Sequence, residues 1–229
     1  MFPLYDDIPS SRKPLVTWAL LAANVGIFLW QTASGTGQEL WAWKFGLVPW
    51  ELTHGSELTP EVPSSPYLNL FSSMFLHGDV MHLGGNMLYL WIFGDNVEDR
   101  LGPVRFLIFY VLSGLAATLF FVWTQPGLRI PLVGASGAIA GVLGAYLVSF
   151  PKARVATLIF LGFFIRVVYI PAVVVLGLWF VLQILSGLPT VASAEESGGV
   201  AFMAHAGGFV AGIVLVFLMA RRRSLGVRP

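Results

Sequence analysis

Cysteine is absent, and charged side chains make up only 11% of the 229 residues. Without cysteine there is no disulfide framework, no thiolate metal site and no cysteine nucleophile. A water-soluble domain of this size carries about twice that share of charge. The formal net charge of +1 is too near neutral to point to a nucleic-acid partner. Internal repeats and low-complexity tracts are missing too, and no cleavable leader is evident. Met1 to Pro14 reads as a polar, Pro-containing tail ahead of a retained apolar anchor. What abounds is apolar: 56% of residues are hydrophobic and the mean hydropathy is +0.78. So much apolar surface exceeds what one water-soluble core can hide, and lipid is the simpler solvent.

Six apolar segments follow one another, at about 15–31, 80–97, 104–124, 136–150, 170–186 and 202–220. Each is predicted to be a helix, because unpaired backbone groups are too costly in lipid and a β-barrel would show alternation. The expected fold is an all-α polytopic bundle of six transmembrane helices. A polar tail (1–14), the membrane domain (15–220) and a basic tail (221–229) divide the chain. Val155–Val168 is read as a hydrophobic connection at the cytoplasmic surface, with the next crossing helix starting near Pro171, where proline suits a first turn. Six crossings put both termini on one side. If that side is the cytoplasm, every basic residue of the 13 falls inside except Lys44 and Arg129. A seventh crossing would carry the basic tail out and ruin the bias. The long outer loop Gln31–Asp79, with Trp41, Trp43, Phe45 and Trp50, suits the headgroup boundary. The outer loop Gly187–Gly199, carrying Glu195 and Glu196, is expected to be mobile and lid-like.

Polar residues inside apolar helices are expensive and therefore informative. They are His82 and Asn86 on the second segment, Ser136 at the head of the fourth, and His205 near the head of the sixth. Ser136 lies about 21 Å, and His205 and His82 about 22 Å, from the inner ends of their helices at the helical rise. With those ends level, all three share a plane about 8 Å below the outer edge of a core about 30 Å thick. The fourth segment is too short to span, so Ser136 would start a helix at the floor of a recess open to water. Gly137-x-x-x-Gly141 and Gly208-x-x-x-Gly212 permit close backbone approach of the fourth and sixth segments. That approach would bring Ser136 within reach of an imidazole nitrogen of His205, the minimum for an activated serine. His82 and Asn86, four residues apart, share a helix face and offer N–H donors to an oxyanion. The Ser136 backbone N–H, at a helix start, adds a third donor.

On these residues the chain resembles the rhomboid family of intramembrane serine proteases, across essentially all of 15–220. The matching marks are His82-x-x-x-Asn86, Gly134-Ala135-Ser136-Gly137, and Ala204-His205-x-x-Gly208-x-x-x-Gly212. The stretch Gly94–Gly102 after the second segment is similar as well. The resemblance implies a Ser136–His205 dyad without an acidic third member, and oxyanion donors at His82 and Asn86. It also implies no metal and no cofactor, with membrane-anchored protein substrates cut near helix-unstable residues. The implied form is the plain six-helix one, and its size without targeting segments leads us to expect a bacterial inner membrane.

Each residue also has a plainer reading. Ser136 alone is a helix N-cap or a small packing residue. His205 alone is an interhelical hydrogen-bonding residue, and His82 with Asn86 a polar clamp. His77 is read as structural or water-holding, His54 as solvated, and Glu98, Asp99 and Arg100 as a helix end with its salt-linked loop. Asp95 lies too near the inner boundary to serve Ser136. Gathering His77, His82 and His205 around zinc is a remote alternative, since no His-Glu-x-x-His or similar signature exists. A small transporter is the rival of another class, but no segments repeat and no deep charged residues line a path. A catalytically inactive relative that binds transmembrane helices is the third reading; the presence of both serine and histidine argues for an enzyme.

Overall fold

The structure is a computed structural model that describes residues 2–58, 62, 65–161, 164–193 and 202–220. Six long helices stand where the apolar segments predict them: α1 (Leu15–Ala33), α5 (Val80–Leu101), α6 (Pro103–Thr124), α7 (Ser136–Ser149), α8 (Ala172–Ser193) and α9 (Phe202–Met219). By length and composition α1, α6 and α9 are each able to cross a bilayer. The helix α7 and the Ala172–Ser186 part of α8 are apolar but shorter, and α5 carries polar side chains along its 22 residues. Large apolar side chains such as Leu29, Trp30, Trp123, Phe217 and Leu218 point outward, as a lipid solvent demands.

The centre is α7. Every residue from Ala138 to Tyr146 is buried, and α5, α6, α8 and α9 all pack against it. The closest partner is α9, and the glycines explain why. A Cβ added at Gly208 would sit 2.1 Å from the Gly137 carbonyl oxygen, and one at Gly144 2.2 Å from that of Phe209. The two predicted small-residue faces are therefore in backbone contact.

Several expectations need correction. The all-α reading misses a three-stranded antiparallel sheet, ordered β1 (Phe2–Asp6), β2 (Arg154–Leu161) and β3 (Phe164–Pro171). The predicted surface connection 155–168 is thus a β-hairpin, with Arg154 opposite Pro171, and the polar tail contributes the first strand. Val155, Thr157, Ile159, Ile165, Val167 and Ile170 are β-branched and suit a pleated surface. Apolar residues on both faces hide the period-two alternation that would announce strands. Helix α8 also runs on to Ser193, so the expected loop 187–199 begins late; its remainder and the tail 221–229 lie outside the described residues. In the long outer loop, α2 (Gln38–Phe45), α3 (Pro49–His54) and α4 (Pro66–Ser72) are short helices. Asn69 of α4, donating to the Gly46 carbonyl at 2.8 Å, ties α4 to the end of α2. His54 is exposed as expected, but its ring stacks on Trp50 at 4.6 Å.

Glu98 is not part of a salt-linked loop. It is buried, and its carboxylate accepts from Val16 N–H at 3.0 Å, Thr17 N–H at 2.7 Å and the Thr17 hydroxyl at 2.8 Å. It thereby satisfies the free N–H groups at the start of α1 from a different helix. Asp99 and the exposed Arg100 keep the surface role, Asp99 accepting from Ser11 with Arg12 at 4.0 Å. Glu98→Ala would strand three donors, the two of Thr17 buried and that of Val16 part-buried. We expect a loss of about 2–4 kcal/mol, with Glu98→Gln losing less, both measured by thermal unfolding in detergent.

At the same end, Tyr146 of α7 donates to Asp6 of β1, and Ser10 donates to Asp95 of α5. Burial pushes the Asp6 carboxyl up to about 6; the Tyr146 hydrogen bond opposes the rise and the charges of Asp95 and Asp7 add to it. The folded protein therefore holds this proton more tightly than the unfolded chain does. Its contribution is complete below the ordinary value of 3.8 and is lost as pH rises through about 6. Asp6→Asn should flatten the melting temperature between pH 4 and 7 and raise it at pH 7. An unchanged pH slope would show that Asp6 titrates normally.

Candidate active site

Ser136 is the first residue of α7, with Ala135 in the cap position before it, which removes the N-cap reading. Its Oγ instead lies 2.7 Å from His205 Nε2 on α9. The glycine contacts below make that distance possible, since they let the two helix axes run close enough for a serine and a histidine to meet. His205 is buried, with its ring 5.8 Å from that of Trp179 on α8.

His82 and Asn86 join Ser136 and His205 in the wall of one cavity of about 690 Å³. Asp79 caps α5 by accepting the His82 backbone N–H at 2.8 Å, which fixes the first turn that carries His82. Gly134 has φ of +129°, and a Cβ there would lie 2.7 Å from His82 Nε2. Only glycine suits both that backbone and that space. Asn86 is buried, and its Nδ2 has no hydrogen-bond partner among the described residues. The segment Ile130–Val133 closes one wall; it is held by the pairing of Leu47 with Leu132 and by Gly134 N–H donating to Ser73 O at 2.8 Å.

His77 lies outside the cavity, fully buried, with its ring edge-on to His82 at 5.1 Å. Both nitrogens of His205 are already engaged, so the three histidines do not converge on a common point. The second engaged nitrogen identifies a residue that reading the sequence passed over. Nδ1 of His205 is 2.6 Å from Oε1 of Gln183 on α8. Gln183 had the same mark as the others, an amide in an apolar helix.

Residues 64–222, well over half of the chain, match the family described as Rhomboid domain. The chain belongs to the rhomboid family. Among relatives, Rhomboid protein 1, mitochondrial, of Saccharomyces cerevisiae is 34% identical over 163 residues, 69% of this chain and 43% of that protein. Rhomboid protease GluP of Bacillus subtilis is 34% identical over 93 residues, 41% of this chain and 18% of the relative. The putative rhomboid protease YdcA of the same organism is 36% identical over 86 residues, 38% of this chain and 43% of the relative. The chain spans less than half the length of these rhomboid relatives. It is an integral membrane protein, and the rhomboid family to which it belongs includes named proteases.

Proposed function

We propose that this rhomboid is an intramembrane serine endopeptidase that cuts transmembrane segments of membrane-anchored proteins. The observation that carries the reading is the 2.7 Å contact between Ser136 Oγ and His205 Nε2 at a cavity also lined by His82 and Asn86. The words "rhomboid protease" in the names of two Bacillus relatives support it.

Ser136 Oγ attacks the scissile carbonyl carbon while its proton passes to His205 Nε2. The carbonyl electrons move onto oxygen, which accepts hydrogen bonds from the Ser136 N–H, Asn86 Nδ2 and the His82 ring. Collapse breaks the C–N bond, and the leaving amine takes the proton from His205. Water, deprotonated by the same histidine, then hydrolyses the acyl-enzyme. We place six crossings in a bacterial plasma membrane with both termini cytoplasmic, the side that gathers all basic residues except Lys44 and Arg129.

The deciding experiment treats the detergent-solubilised protein with a fluorescent fluorophosphonate. Wild type should label, whereas Ser136→Ala and His205→Ala should not. A folded wild type that stays unlabelled sinks the reading.

A further inference from the structure

Base action by His205 requires an unprotonated Nε2 facing the Ser136 hydroxyl. The ring proton must then sit on Nδ1 and find an acceptor, because a buried N–H without one costs free energy and the alternative tautomer is inactive. Gln183 Oε1 lies 2.6 Å from Nδ1, at the short end for such a bond. The amide oxygen is the only end of that side chain that serves this tautomer. Trp179, four residues earlier on the same face of α8, contacts the His205 ring, so the helix brings both an apolar wall and a polar acceptor to the base.

We propose that Gln183 is a positioning residue for the reaction: its amide oxygen fixes the tautomer and orientation of His205, an uncharged counterpart of the acid in a three-residue relay. This rests on the dyad reading above. It gives α8, which otherwise meets the bundle mainly through α9, a direct hold on the chemistry. A neutral amide orients the imidazole without the charge stabilisation a carboxylate supplies to the imidazolium formed during attack. The surroundings make that difference measurable. The other titratable groups at the cavity are Asp79, His82 and Tyr89, all on the α5 side. No residue of α7 or α8 is charged. On α6 the one charged residue is Arg105, near the opposite end, where it donates to Met219 O at 3.0 Å. The phenols of Tyr110 on α6 and Tyr146 on α7 do not line the cavity.

The test uses the full chain in detergent with a fluorogenic transmembrane peptide, comparing wild type, Gln183→Met and Gln183→Glu. Methionine has a similar length and no strong acceptor. It should lower kcat by about 10- to 100-fold at unchanged KM and melting temperature. Glutamate restores an acceptor, so kcat should return to wild type or above it. Its charge should also move the acid limb of the pH–rate profile to higher pH. Gln183→Met cutting at the wild-type rate would overturn the proposal, as would a Gln183→Glu profile superimposable on wild type. A packing role would leave that profile where it is. Failure of the dyad itself would look different, because wild type would then neither label with fluorophosphonate nor cleave.

Discussion

Ser136→Ala and His205→Ala should each lower kcat for a transmembrane substrate by at least about 10⁴-fold, to the limit of detection. The size follows from the roles. Without Oγ there is no acyl-enzyme, and without Nε2 the hydroxyl keeps its proton and is a poor nucleophile. Because the two side chains act as a unit, the double variant should be no slower than either single one. Asn86→Ala should fall less, about 10²- to 10³-fold, since one of three oxyanion donors is removed while the nucleophile stays intact. KM should move little in all three, because none of these contacts is needed to bind the uncleaved helix. Cleavage kinetics in detergent or proteoliposomes, with melting temperatures as a control on folding, would measure each. An Asn86→Ala variant as fast as wild type would remove that residue from the oxyanion site. A Ser136→Ala variant that still cuts would remove the mechanism.

How legible these features were depends on how local their signals are. Helix positions were readable because an apolar run in lipid has one solution for its backbone. The start of α7 at Ser136 followed from the apolar run that begins there. The contact between α7 and α9 was readable from glycines four apart, because a stripe without side chains has few uses other than close approach. Less legible were features that depend on partners distant in sequence. Glu98 looked like a surface charge beside Asp99 and Arg100; its true partners, Val16 and Thr17, lie more than 80 positions away. The β-hairpin was hidden because 155–168 is apolar on both faces, leaving no alternation to count. Gln183 was visible but unassigned. Depth along α8 could have tied it to His205, yet the expected end of that helix fell before Ser193, its observed end, and blurred the register.

The other large effect is expected at Gly212, two turns below His205 on α9. A Cβ there would lie 2.0 Å from the Gly141 carbonyl oxygen and 2.5 Å from the Gly141 Cα, distances no real pair of atoms adopts. The obstacle is backbone on the central helix, so it cannot swing aside as a side chain would; the helices must separate. Gly212→Val should therefore cost about 3 kcal/mol or more, at or above the top of the range for overpacked cores. The same separation would stretch the 2.7 Å Ser136–His205 contact beyond hydrogen-bonding reach. Fluorophosphonate labelling should thus vanish even in whatever fraction stays folded, although no atom of the site has been changed. Gly26→Ala on α1 is the control, because nothing lies within 4 Å of its added Cβ. Alanine there should be neutral or mildly stabilising through helix propensity alone. If Gly212→Val melts and labels like wild type, then α7 and α9 are not in backbone contact, and the approach that brings the serine to its histidine must come from elsewhere.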